Sequence, residues 1–162
     1  MIPTPGSASA PLEFQTNPPQ RILVVDEDCD LRLLYTDALA RPGYHVDGAE
    51  DGAAGWKALQ ASNYNLLITE NDLPDLSGVE LVRKLRAARM ALPVVMATGT
   101  LPTDELARNP SLQLAATLVK PFAIDALLNV VNNALRATVA TRDQIIPLPN
   151  QQTQPTAIAW CL

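Results

Sequence analysis

Histidine and cysteine are nearly missing from this chain. His45 has no second His or Cys near it, and Cys29 and Cys161 show neither metal-ligand spacing nor the density of a secreted disulfide scaffold. His45 therefore reads as a strand-surface residue and both cysteines as free thiols. Cys29 stands among carboxylates that disfavour its thiolate, which makes it a structural residue near a helix start. Positive charge is short as well: 12 Lys and Arg against 17 Asp and Glu leave a net charge of −5, with no general attraction for phosphate backbones. No apolar run approaches the roughly 20 residues needed to cross a bilayer. Met1 to Gln20 lacks the basic start and long apolar stretch of a signal peptide. Direct nucleic-acid binding and membrane contact are not expected, and the expected location is the cytoplasm.

What is present is a regular alternation. Over residues 21 to 140, short apolar runs are followed by segments of helical period, the pattern of repeated β-α units around a parallel sheet. The strands are expected at Ile22 to Asp26, Tyr44 to Ala49, Asn65 to Thr69, Pro93 to Thr98 and Ala115 to Val119. Leu31, Leu34, Tyr35, Ala38 and Leu39 form an apolar stripe for the first helix, which should end before Pro42-Gly43. A weaker second helix carries Ala53, Trp56 and Leu59, a third carries Leu81, Val82 and Leu85, and the last carries Ile124, Leu127, Leu128, Val131 and Leu135. Pro110 confines the fourth helix to about Thr103 to Asn109, since proline removes an amide donor and clashes with the preceding turn. Arg83, Lys84, Arg86 and Arg89 read as a solvated helix face.

The two ends differ from this middle. Residues 1 to 20 hold five prolines and many small residues, and residues 141 to 162 are rich in Pro, Gln and Asn. Neither composition buries enough apolar surface to offset its ordering entropy. A flexible lead, one α/β domain over 21 to 140, and a tail are expected. The apolar Ile158 to Leu162 closes the tail without indicating where it docks.

In open parallel sheets, ligands bind beyond the carboxyl ends of the strands. Four strand ends carry chemistry: Asp26-Glu27-Asp28 after the first, Glu70 after the third, Thr98 at the end of the fourth and Lys120 after the fifth. Adjacent carboxylates suit a hard cation such as Mg2+, and a hydroxyl and an ammonium suit phosphoryl oxygens. An acidic triplet alone is an ordinary turn or helix cap. Agreement among the four positions is what points to a site.

Ile22-Leu23-Val24-Val25-Asp26-Glu27, then Glu70-Asn71-Asp72-Leu73-Pro74 with Gly78, then Thr98, then Lys120-Pro121-Phe122 resemble, in order and spacing, the receiver domain of two-component response regulators. The resemblance implies a flavodoxin-like fold with strand order 2-1-3-4-5 and five helices. It assigns Asp26, Glu27, Glu70 and the backbone carbonyl of Asp72 to Mg2+. It makes Thr98 the hydroxyl that moves toward the phosphoryl group, Lys120 the ammonium that pairs with it, and the Lys120-Pro121 bond cis. A sensor histidine kinase or phosphotransfer protein and a downstream protein target are the implied partners.

Two departures follow. Glu70 occupies the place of the phosphoaccepting Asp, so phosphoacceptance is expected to be impaired, or the activated state imitated through contact with Lys120 or Thr98. Thr117 stands where many receivers carry Tyr or Phe, so the usual aromatic relay is missing. With no DNA-binding, cyclase or kinase pattern after residue 140, a stand-alone receiver acting through protein contact is expected, not an enzyme. Two other readings stay open: a phosphorylation-independent pseudo-receiver, and a haloacid dehalogenase-like phosphohydrolase with Asp26 as nucleophile. A flavodoxin-like cofactor carrier fits poorly, because the first β-α loop is acidic where a phosphate cradle needs Gly, Ser or Thr.

Overall fold

The structure is a computed structural model that describes residues 18–144, with side chains to residue 141. The expected lead and tail lie largely outside the described residues, and Cys161 with the apolar Ile158 to Leu162 lies wholly outside them. Five strands alternate with helices: β1 Arg21–Val25, α1 Cys29–Ala40, β2 His45–Ala49, α2 Gly52–Ala61, β3 Leu66–Thr69, α3 Gly78–Ala87, β4 Val94–Thr98, α4 Thr103–Arg108, β5 Ala116–Val119 and α5 Ile124–Gln144. A 3-10 turn at Pro110–Leu112 follows α4, where Pro110 stops the helix. Every strand begins and ends within one residue of its expected span, because β-branched and leucine runs bounded by polar residues mark buried parallel strands clearly.

The sheet is wholly parallel, in the order β2-β1-β3-β4-β5. This is the expected flavodoxin-like arrangement. The central strands are buried on both faces, and alternate side chains feed two cores. Ile22, Val24, Leu66, Ile68, Val95 and Ala97 pack with Tyr35 and Leu39 of α1 and Leu127 and Val131 of α5. Leu23, Val25, Leu67, Val94 and Met96 pack with Leu59 of α2 and Val79, Val82 and Leu85 of α3. Each fully buried Leu, Ile or Val contributes about 1.5–3 kcal/mol relative to exposure, so the two layers hold the sheet from both sides.

Three expectations need correction. Leu34 is 48% exposed. At about 100° per residue, it lies well off the direction shared by Leu31, Tyr35, Ala38 and Leu39, beyond the reach of the sheet. In α2 the buried residues are Gly52, Gly55 and Leu59, while Ala53 is exposed. Glycines there allow close approach to Val25 and Leu76, and a hydrophobicity pattern does not register a missing side chain. Arg86 is not on a solvated face: its guanidinium donates to the carbonyls of Leu112, Met90, Leu92 and Gln113 at 2.8–3.3 Å. Of its neighbours, Lys84 lies over the Trp56 ring at 5.6 Å. His45 is exposed on β2 and Cys29 is an exposed free thiol opening α1, both as expected. No helix among the described residues is long and apolar enough to cross a membrane.

Candidate functional site

Because all five strands run the same way, Asp26, Glu70, Thr98 and Lys120 arrive at one edge of the sheet. Strand pairing sets their heights: Val25 is opposite Thr69, and Thr98 is opposite Val119. Ladder-like bonds continue one residue further, from Glu70 N to Val25 O at 2.9 Å and from Lys120 N to Thr98 O at 2.9 Å. The side chains meet at the top. Lys120 Nζ lies 2.6 Å from Asp26 Oδ2 and 2.7 Å from Glu70 Oε2, and these carboxylates are only 3% and 8% exposed. One ammonium thus bridges two buried acids. The Lys120-Pro121 peptide is cis, as the resemblance implied.

The remaining carboxylate oxygens are also engaged. Asp26 Oδ1 accepts from the Asp28 amide at 2.9 Å. Glu70 Oε1 accepts from the amides of Asn71 at 2.7 Å and Asp72 at 3.2 Å. Asp28 caps α1, accepting from the amides of Asp30 and Leu31, as short polar side chains do at helix starts. The Asp26 carbonyl takes a 2.6 Å bond from the Arg32 guanidinium. Asn71 Oδ1 accepts the Val79 amide at the start of α3, and Gly78 packs where any Cβ would collide with the Glu70 carbonyl. Arg32, Asn71 and Gly78 therefore build the loops around the acids. Asn71 and Gly78 stand within the sequence motif that carries the resemblance, whereas Arg32 gave no signal, because an arginine in a helix pattern does not show which carbonyl it will reach.

Electrostatics follow from these contacts. Burial works to raise the Glu70 pKa, but hydrogen bonds from Lys120, Thr98 and the Asp72 and Asn71 amides outweigh it and hold the carboxyl below the usual glutamate range. The Thr98 hydroxyl has one proton to give, and the Thr100 carbonyl at 3.2 Å competes with Glu70 for it. For Lys120, burial favours the neutral amine, yet bonds to Asp26 and Glu70 raise its pKa above the ordinary lysine value. Burial likewise pushes the nearby Tyr35 phenol up.

The structure brings together Asp26, Glu70, Thr98 and Lys120, whereas Glu27 and Asp72 are exposed at the rim. Among the described residues, no group of three or more His, Cys, Asp or Glu is gathered closely enough to hold a metal ion. Mg2+ is commonly held through one or two carboxylates and several waters, so a gathered group is not required. The donors present are all oxygens, and Asp26, Glu27 and Glu70 outnumber the single ammonium. That chemistry fits a hard divalent cation. Thr117, on edge strand β5, is exposed.

Comparison with known proteins agrees with this geometry. The family described as the response regulator receiver domain matches residues 22–132. The probable transcriptional regulatory protein SilR of Salmonella typhimurium is 32% identical over 127 residues, covering 77% of this chain and 56% of that protein. The response regulator receiver protein CpdR of Brucella abortus is 32% identical over 121 residues, covering 73% of this chain and 98% of that protein. The chain therefore spans little more than half of SilR and nearly all of CpdR. Among solved structures, the response regulator TrrA of Thermotoga maritima, in complex with Mg2+-BeF, superposes with a TM-score of 0.64 at 29% identity, over 71% of this chain and 98% of that one. Sheet order, site edge and family match converge, and the chain belongs to the response regulator receiver domain family.

Proposed function

We propose that this chain relays a two-component signal through protein contact and that Glu70 replaces the phosphoacceptor. The observation that carries the reading is the buried bridge from Lys120 to Glu70 and Asp26. An acyl-phosphate at this place would pair with the same ammonium. Glu70 already occupies it, and its other oxygen is held by two amides. Both oxygens are therefore stabilised as acceptors, which lowers their nucleophilicity. The extra methylene moves the carboxylate by about 1.5 Å. A displacement of about 1 Å can cost roughly 100-fold in rate. Phosphoacceptance is impaired and the activated arrangement is partly imitated, with about −1 charge in place of about −2.

Asp26, Glu27, Glu70 and the Asp72 carbonyl would hold Mg2+, which supplies neutralisation of phosphoryl charge. The oxygen donor set supports this, as does the Mg2+-BeF complex of TrrA. Thr98 would follow the charge on Glu70. The partners are a sensor histidine kinase or phosphotransfer protein and a downstream protein target, with no direct contact to nucleic acid or membrane. The receiver unit occupies residues 21 to 140 of a cytoplasmic signalling module. It is not an enzyme: the phosphohydrolase reading needs a free Asp26 nucleophile, but one Asp26 oxygen is on Lys120 and the other on the Asp28 amide. The Lys120 bridge favours a second reading equally, a phosphorylation-independent module held in one conformation.

Intact mass after incubation with Mg2+ and acetyl phosphate tests these readings, using this chain and Glu70→Asp. An adduct on Glu70→Asp alone is expected. An adduct on the unaltered chain refutes impairment. No adduct on either protein favours the phosphorylation-independent module.

A further inference from the structure

Asp75 takes no part in the reading above. It lies in the β3–α3 loop, a few residues beyond Glu70. Its Oδ1 accepts from the Gly52 amide at 3.0 Å, and its Oδ2 from the Ala53 amide at 2.9 Å. These are the first amides of α2, which a helix leaves without internal partners. The helix already has a cap of its own, since Asp51 Oδ1 accepts from the Ala54 amide at 2.7 Å. Asp75 thus adds a tie between two elements rather than merely starting a helix. Packing agrees: a Cβ on Gly52 would run into the carbonyl oxygen and Cβ of Leu76, so glycine is what lets loop and helix touch. At its other end the same loop is pinned by Glu70 Oε1, which accepts from the amides of Asn71 and Asp72. Asp72 therefore lies between two anchors, Glu70 on one side and the Asp75–α2 clamp on the other.

We propose that Asp75 is a positioning residue, which clamps the β3–α3 loop to the start of α2 and thereby holds the Asp72 carbonyl in place for Mg2+. This rests on the metal reading given under the proposed function. The clamp acts through the backbone, so releasing it frees one end of a short loop while the carboxylates stay where they are. Groups that orient metal ligands in this way typically account for about 10- to 100-fold in affinity.

The test is a Mg2+ titration of the full chain followed through the amide shifts of Glu27 and Asp72, with thermal melts alongside. D75A is expected to weaken Mg2+ by about 10-fold, while D75N, which keeps one of the two acceptor oxygens without the charge, loses less. Equal losses in D75N and D75A, with the Gly52 and Ala53 amides of D75N exchanging as slowly as in the unaltered chain, would mean that charge and not clamping matters, and would overturn the proposal. Unchanged affinity in D75A would overturn it too. A chain that shows no Mg2+ response defeats the metal reading separately. The clamp is then judged in metal-free protein: D75A must shift the Asp72 amide and speed exchange at Gly52 and Ala53, with D75N between D75A and the unaltered chain, and an unmoved Asp72 in D75A refutes it. Should D75A not fold, D75S takes its place in the same comparison, since a hydroxyl accepts from at most one of the two amides at this reach.

Discussion

Lys120 joins two acids that belong to strands far apart in sequence, and the consequences can be read from single residues. The Glu70 carboxyl titrates below its usual range, so it is more acidic folded than unfolded. A depressed carboxyl contributes stability above its unfolded pKa, about 4.3. That contribution is lost as pH falls through the folded value. The raised Lys120 works in the opposite sense, contributing below the ordinary lysine pKa of about 10.4 and losing its contribution as pH rises through the folded value. Between these limits both are intact. Urea midpoints of this chain and of Glu70→Gln should therefore differ most near neutral pH, with the gap closing as pH drops below about 4. A gap independent of pH in that range contradicts the ionised bridge. At this scale, residue types were legible in the sequence: Asp26, Glu70, Thr98 and Lys120 meet as expected. A contact of Glu70 with Lys120 or Thr98 was expected too, but not that Lys120 is shared with Asp26, because which oxygen faces which nitrogen depends on loop paths.

Elements show where periodicity succeeds and where it misleads. α3 reads clearly because Leu81, Val82 and Leu85 are all buried large side chains. α2 reads poorly because its inner face includes Gly52 and Gly55. Replacing Gly55 by Ala raises helix propensity by about 1 kcal/mol. Against this, the added Cβ would come within 2.8 Å of a Val25 methyl on β1. Overpacking of that kind costs about 1–3 kcal/mol, so Gly55→Ala should melt lower than the parent despite its better helix former. A higher melting temperature would mean that α2 yields easily. A neighbouring element likewise sets the surroundings of Arg86, whose guanidinium reaches the carbonyls of Leu112 and Gln113, whereas Leu34 is exposed by the angular spacing of its own helix.

The described residues form one sheet clad on both sides, with β1, β3 and β4 contributing to each core through alternate residues. Neither layer can leave without exposing one face of those strands, so unfolding should be a single transition. Trp56 on α2 reports one layer, and far-UV circular dichroism reports all elements. In a Trp160→Phe background, urea curves from the two probes should coincide. Separate midpoints would show that the α2–α3 layer unfolds on its own.

The β-α alternation, the five strand positions, the breaking of α4 before Pro110 and the four residue types at the strand ends can all be read along the chain. Those properties are local, since burial on both faces shows in continuous apolar runs and proline acts on its own turn. Folding alone set the rest: Lys120 takes Asp26 together with Glu70, Arg86 holds the carbonyls of Leu112 and Gln113, and Asp75 reaches α2. Such contacts join residues brought together by parallel strand crossovers, and hydrogen-bond partners across that distance leave no period or spacing in the chain.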